Sequence, residues 1–172
     1  NMSSGNGLMK ILWIEQIRNN EVIWRAENIK NVLHTDGESY ILRAAFTGGP
    51  VSEIIPENYY IGLDARFSLA ASDTITDLLG EPTINGYTRQ AVSSTGNFTV
   101  TIPEGSANYR ATSPIVAFQA EGGSWGPVKN VFLTDTATSS GNLICSAELP
   151  SQISVIDGDT ITMRLGLSLK DC

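Results

Sequence analysis

Histidine and cysteine are scarce in this chain of 172 residues, which has one histidine, His34, and two cysteines, Cys145 and Cys172. Nucleophilic catalysis by serine, threonine or cysteine usually requires a histidine base, and zinc sites require several nitrogen or sulfur ligands. The scarcity argues against an enzyme and against a metal or other cofactor, and we assign no catalytic residue. We expect two free thiols, with a bridge between the two cysteines as the alternative.

Positive charge and long apolar runs are also limited. Eleven basic residues oppose 18 acidic ones, giving a net charge of −7. A phosphate backbone is bound by clustered lysine and arginine, so we expect no nucleic-acid partner. No apolar run approaches the roughly 20 residues that span a bilayer, so we expect no membrane partner. Residues 1–7 show no basic region followed by an apolar one, and we therefore expect assembly in the cytoplasm.

What the sequence does have, from Asn58 onward, is a series of short segments in which apolar and polar residues alternate. The clearest is Thr160–Leu169, where apolar residues occupy every second position. Such alternation is typical of half-buried strands. The other candidate strands are Tyr59–Leu63, Tyr87–Val92, Asn97–Ile102, Pro114–Phe118, Val128–Leu133, Leu143–Ala147 and Gln152–Val155. Glycine-rich and serine-rich turns separate them, so we predict a mainly β protein, an antiparallel β-sandwich of jelly-roll or Greek-key type.

One or two short helices are expected before and within this series. Thr35 and Glu38 have the spacing of a capping box, and the apolar residues that follow lie on one stripe. We predict a helix over Asp36–Phe46 that is stopped by Thr47–Pro50, because glycine and proline end helices. A second, shorter helix is predicted from Ser72 or Asp73 to Leu79.

The first 27 residues form a predicted N-terminal arm, followed by a single sandwich domain over residues 28–172. Ile11, Ile14 and Ile17 recur every third residue, as on a helix, yet Ile11 and Trp13 also fit strand alternation. The two alternatives stay open. The arm packs either on its own domain or on a neighbouring subunit, because exposed tryptophans favour burial. The candidate partner-binding residues are Trp13, Ile14, Ile17 and Trp24.

Two further features suggest local chemistry. Asp157–Asp159 is an acidic Asp-Gly-Asp sequence, which we interpret as a tight hairpin turn rather than a calcium loop. The aromatic residues Tyr59, Tyr60 and Trp125 lie within the strand series, where aromatic side chains usually pack in the core. Their alternative use as a platform for sugar rings defines a carbohydrate-binding module as one possible function.

Several motifs, in their order along the chain, resemble virion structural proteins of tailed bacteriophages. They begin with Asn31–Gly37 before a short helix and continue with Tyr59–Leu63. The later ones are Gly86–Arg89, Trp125–Val128 and Gly158–Leu169. The resemblance covers about Asn28 to Leu169 and includes no catalytic residue.

The resemblance implies a small β-rich virion component. Our leading hypothesis is a capsid decoration (cement) protein that bridges copies of the major capsid protein. It implies a homo-oligomer, with a trimer favoured, that has the major capsid protein and copies of itself as partners. The alternative is a tail, baseplate or fibre-associated structural protein. Under this hypothesis, removal of the arm leaves a folded domain that no longer binds capsids.

Overall fold

The computed structural model describes residues 9–47 and 55–169. Its elements, in chain order, are β1 (Met9–Arg18), β2 (Glu21–Lys30), β3 (Val32–Leu33), α1 (Thr35–Phe46), β4 (Asn58–Asp64), a 3₁₀ turn (Ile75–Asp77), β5 (Gln90–Ser93), β6 (Thr99–Thr101), β7 (Arg110–Thr112), β8 (Val116–Gln119), β9 (Gly126–Thr134), β10 (Leu143–Val155) and β11 (Thr160–Leu167). In these residues, no helix is long and apolar enough to cross a membrane.

The strands form two antiparallel sheets. Sheet A has the order β2-β1-β11-β7-β6, with β8 also paired to β11, and sheet B has the order β3-β10-β9-β4-β5. Side chains from the two sheets meet in one apolar core. The core contribution of sheet A includes Ile11, Ile14, Phe118, Ile161, Met163 and Leu165, and that of sheet B includes Ile61, Leu63, Val131, Ala147 and Val155. The predicted fold class, a mainly β antiparallel sandwich, is confirmed.

Residues 9–27 of the predicted arm are part of sheet A. β1 pairs with β11 on one side and with β2 on the other. Asn19 and Asn20 join the two strands, and both have positive φ, as a two-residue hairpin of type I′ requires. This placement corresponds to the alternative in which the segment packs on its own domain.

A β-bulge explains why β1 looked like a helix in the sequence. The pairing register with β11 shifts between Ile11 and Trp13, so one extra residue is inserted there. Ile11 and Ile14 therefore both point into the core although they lie an odd number of positions, three, apart. After the bulge the ordinary alternation resumes, and Ile17 lies on the opposite face from Ile14.

The first helix is confirmed, but its predicted capping box is wrong. The N-cap is His34, and its side chain makes no capping hydrogen bond. The Thr35 hydroxyl donates instead to the Ala71 carbonyl at 3.2 Å, which ties the helix to a neighbouring loop. At the other end, the Thr47 amide and hydroxyl both donate to the Arg43 carbonyl. The predicted stop at Gly48–Pro50 lies outside the described residues.

The remaining differences concern boundaries. The two predicted strands at Leu143–Ala147 and Gln152–Val155 are one strand, β10, whose pairing with β9 is irregular between Glu148 and Ile153. The second predicted helix is a single 3₁₀ turn, and the reciprocal hydrogen bonds of a capping box occur there, between Thr74 and Asp77. β7 was not predicted, because three residues are too few for a detectable alternation.

Candidate partner-binding surface

The outer face of sheet A presents side chains from β2, β1 and β11 in cross-strand rows. Trp13, Glu15 and Ile17 of β1 point outward, because the intervening Ile14 and Gln16 are buried. The strand pairing fixes their neighbours. Trp13 lies between Glu27 and Arg164, Glu15 between Arg25 and Thr162, and Ile17 between Val22 and Thr160.

Apolar and charged groups alternate on this face. The Arg25 guanidinium lies 5.9 Å from the centre of the Trp13 ring, within cation–π distance. It also forms ion pairs with Glu15 and Glu27. Exposed ion pairs contribute little to the free energy of folding. In an interface, such charges act mainly on the specificity of binding. Val22 is 53% exposed and extends the apolar row that Ile17 begins.

The corresponding side of sheet B is partly covered by the chain itself. Phe132 and Leu143 point away from the main core and form a second apolar cluster with Leu69, Ile75 and Leu78. In the residues that the structure describes, buried apolar residues form these two clusters and none lies over the outer face of sheet A. Among the described residues, the outer face of sheet A is therefore a sheet surface that no apolar cluster covers.

Two of the four predicted partner-binding residues lie on this face, and two do not. Trp13 and Ile17 are partly exposed there. Ile14 is completely buried in the core of its own chain, so it has no surface to offer a partner. Trp24 packs against the same core, and its indole N–H donates to the Ser151 hydroxyl at 3.0 Å. The sequence pattern could not show which of the four side chains are exposed, because it does not reveal the bulge in β1.

A buried carboxylate ties the β1–β2 hairpin to the turn between β10 and β11. Asp159 is completely buried and accepts hydrogen bonds from the Arg18 guanidinium at 2.8 Å and from the Gln16 amide at 2.8 Å. It also accepts from the Ile156 amide at 3.0 Å. Gly158 has φ of +84°, and the predicted tight turn at Asp157–Asp159 is confirmed. The hydrogen bond from Arg18 lowers the pKa of Asp159 to about 2.

We expect Asp159→Asn to destabilise the protein in a pH-dependent manner. A carboxylate with a lowered pKa stabilises the folded state above its unfolded pKa, and that contribution disappears as pH falls through the folded pKa. The difference from the original protein should be about 1–2 kcal/mol at neutral pH, after allowance for solvent near Arg18. It should shrink between the ordinary value of 3.8 and about 2. Urea unfolding at several pH values measures it, and a difference independent of pH would contradict it.

The sole histidine is a structural residue in this fold. His34 is completely buried, and its Nε2 lies 2.8 Å from the Ser146 hydroxyl. Burial lowers the pKa of His34, so the neutral imidazole is favoured. Ser146 is also buried, so both side chains of this pair lie away from the surface. Cys145 is a free, completely buried thiol whose pKa is raised by burial, and Cys172 lies outside the described residues.

Two of the three aromatic residues of the predicted sugar platform, Tyr59 and Trp125, are engaged in packing. Tyr59 makes an edge contact with Tyr40, and their hydroxyls lie 2.7 Å apart. Trp125 packs edge-on against Tyr87 at 5.3 Å between ring centres, and its indole N–H donates to the Asn85 carbonyl. Rings held in this way present no continuous flat surface to a sugar, so the arrangement does not favour a carbohydrate-binding module.

The fold is an antiparallel β-sandwich, and the outer face of sheet A carries both apolar and charged side chains. The sequence model of one protein family matches residues 37–168, which is more than half of the chain. The chain belongs to this family, described as Podophage GP4 fiber I protein gp80. Membership identifies a structural protein of a phage virion. No curated protein matches the chain.

The matched region begins in the first turn of α1 and ends just after β11. β1, β2 and β3 precede it, so most of the apolar and charged groups of the outer face lie before the matched residues. The virion character predicted from the motifs therefore rests on the body of the sandwich. Trp13 and Ile17, which were predicted to bind a partner, lie on β1, outside the matched residues.

Proposed function

We propose that the chain is a fibre-associated structural component of a podophage virion and that it acts by binding other proteins. The observation that supports this most directly is the family match over residues 37–168, whose description names a fibre protein. That name favours the fibre-associated alternative over capsid decoration. The sandwich supplies a rigid body, and the outer face of sheet A supplies the contact surface.

The outer face suits a protein partner for physical reasons. Aromatic and arginine side chains contribute most of the binding free energy at protein interfaces, and Trp13 and Arg25 lie in contact on the outer face. Glu15 and Glu27 flank Arg25, so a partner must match alternating charges as well as the apolar row of Ile17 and Val22. We propose another fibre or tail polypeptide, or a further copy of this chain, as the partner, and we propose no catalytic step.

The copy number and position of the protein in purified virions test this proposal. A fibre component should be present in a few to dozens of copies per particle, whereas a decoration protein is present in hundreds. Quantitative densitometry against the major capsid band gives the number, and gold-labelled antibody to the chain gives the position. Labelling at the tail with a low copy number is the expected result. Uniform labelling of the head with hundreds of copies would overturn the proposal.

A further inference from the structure

β2 is an edge strand of sheet A, and among the described residues its outer edge has no backbone partner. The strand is ten residues long and pairs with β1 on one side. β10 contacts it from the core face, where the Trp24 indole donates to the Ser151 hydroxyl, and leaves the edge itself open. An open edge presents a row of N–H and C=O groups that another strand can pair with.

The hydrogen bonds of β11 show which residues of β1 bond to which neighbouring strand. In an antiparallel sheet, successive residues turn their backbone N–H and C=O groups to opposite sides. The Leu165 amide donates to the Ser113 hydroxyl oxygen and its carbonyl accepts from the Ser113 amide, so Leu165 faces away from β1. Arg164 must then face β1, and its partner Trp13 bonds to β11 rather than to β2. Glu15, two residues further along β1, does the same.

Arg25 and Glu27 therefore turn their backbone groups to the open edge of β2, because they lie opposite those two residues of β1. Ala26, between them, bonds to β1 instead. Regular strand geometry is confined to this stretch, since the pairing register shifts at Ile23 and Asn28 has φ of +54°. A strand that adds to this edge can therefore form a short ladder centred on Ala26.

The charges of this stretch favour a second copy of β2 in one particular register. Two antiparallel copies form hydrogen-bonded pairs only between residues that face the edge, which are Arg25 and Glu27. A two-fold axis at Ala26 sets Arg25 of each copy opposite Glu27 of the other. An axis at Arg25 or at Glu27 would set like charges directly opposite each other, which is destabilising.

Two further features suit the register centred on Ala26. The side chains of a pair that shares no hydrogen bonds lie closest together, and the residue on the axis, Ala26, has the smallest side chain in β2. Arg25 and Glu27 also form an ion pair of 2.6 Å within one copy. Their meeting across the axis would therefore bring together four charges of alternating sign.

We propose that two copies of this chain pair through their β2 edges, antiparallel and about a two-fold axis at Ala26. Two pairs of Arg25 with Glu27 each exchange two backbone hydrogen bonds, and the two A sheets become one continuous sheet. Such a contact uses the same surface on both copies and closes at two, so we expect a dimer rather than the trimer favoured by the resemblance. This inference rests on the proposed function, since it specifies the further copy of the chain that was named there as a partner.

The test compares the full chain with the charge-reversal variants Arg25→Glu and Glu27→Arg by sedimentation equilibrium, up to about 1 mM because small interfaces are weak. We expect the original chain to dimerise as its concentration rises. Each variant alone should dimerise at least tenfold more weakly, because like charges then lie opposite each other. An equimolar mixture of the two variants should regain the original affinity, since one supplies two acidic residues and the other two basic ones. Arg43→Glu and Glu57→Arg, which reverse exposed charges outside β2, are the matched controls and should dimerise normally.

Three results would overturn the proposal. An original chain that stays monomeric up to about 1 mM would show that the β2 edges do not pair. Dimers that persist in both single variants would place the interface elsewhere. A mixture that stays monomeric, although circular dichroism shows both variants folded, would reject the register centred on Ala26. These results come from the isolated chain, whereas the fibre assignment fails on copy number or position in the virion, so the two failures are distinguishable.

Discussion

Replacement of Ile14 by alanine is expected to lower the free energy of unfolding by about 2–4 kcal/mol, the range for deletion of a buried isoleucine side chain beyond Cβ. Ile14 is completely buried and pairs across the sheet with Ala26 and Met163, so the truncated side chain leaves a cavity between the two sheets. Urea unfolding followed by circular dichroism measures the change. We also expect removal of residues 1–27 to unfold the domain, since it removes β1, which pairs with β11, and most of β2.

Ile17 provides the matched control within the same strand. It lies on the outer face, so Ile17→Ala should cost less than about 1 kcal/mol. Equal and small losses at both positions would mean that β1 does not belong to the core, in keeping with a separate arm. On the proposed function, Ile17→Glu should leave the fold intact but reduce incorporation into virions, because it places a charge in the apolar row with Val22.

The strands could be predicted where the alternation of apolar and polar residues in the sequence matches the burial of one face of the strand. The alternation of Thr160–Leu169 was strong because β11 lies between β1 and β7 with one face in the core. Glycine and serine turns separated most of the other strands. The edge strand β6 and its neighbour β7 were harder to predict, since they are short. Val100 and Ile102 alternate as a half-buried strand should, yet they are 63% and 49% exposed, so the described residues leave that end of the sheet largely uncovered.

The N-terminal strands were not predicted, and two local features, a bulge and a turn, explain why. The bulge in β1 gave the apolar residues a spacing of three, which imitates a helix. The Asn19-Asn20 pair was the available signal for a hairpin, since asparagine is favoured where φ must be positive. With that turn recognised, residues 9–30 would have been predicted as two paired strands and the arm would have ended earlier.

The sites depended on contacts that are distant in sequence. Asp159 meets Arg18 across more than a hundred residues of sequence. Composition gave no signal for this pair. The tryptophans were singled out from the sequence because exposed tryptophans favour burial against another surface. The pairing register of β1 and β2 decides which face of sheet A each tryptophan occupies.

Gly37→Ala is expected to lower the free energy of unfolding by about 2–3 kcal/mol, against the usual preference of helices for alanine. Gly37 lies in the first turn of α1, where the sequence pattern gave it no role beyond the predicted capping box. A Cβ atom there would be 2.1 Å from the carbonyl oxygen of Ile144 in β10. Because that neighbour is backbone, the helix must shift away from β10, which also strains the contact between Tyr40 and Tyr59. Thermal and urea unfolding measure the loss.

Ser39→Ala separates this packing effect from helix propensity. Ser39 is exposed on the same helix, so alanine there should leave stability unchanged or raise it by a few tenths of a kcal/mol. If Gly37→Ala stabilised the protein as much as Ser39→Ala, α1 would not rest on β10. The family match begins at Gly37. Because α1 approaches β10 closely at this residue, a glycine here is physically required to pack the helix on the sandwich. A larger residue at position 37 should therefore be tolerated only if α1 detaches, which a fall in protection of the Glu38 amide from hydrogen exchange would reveal.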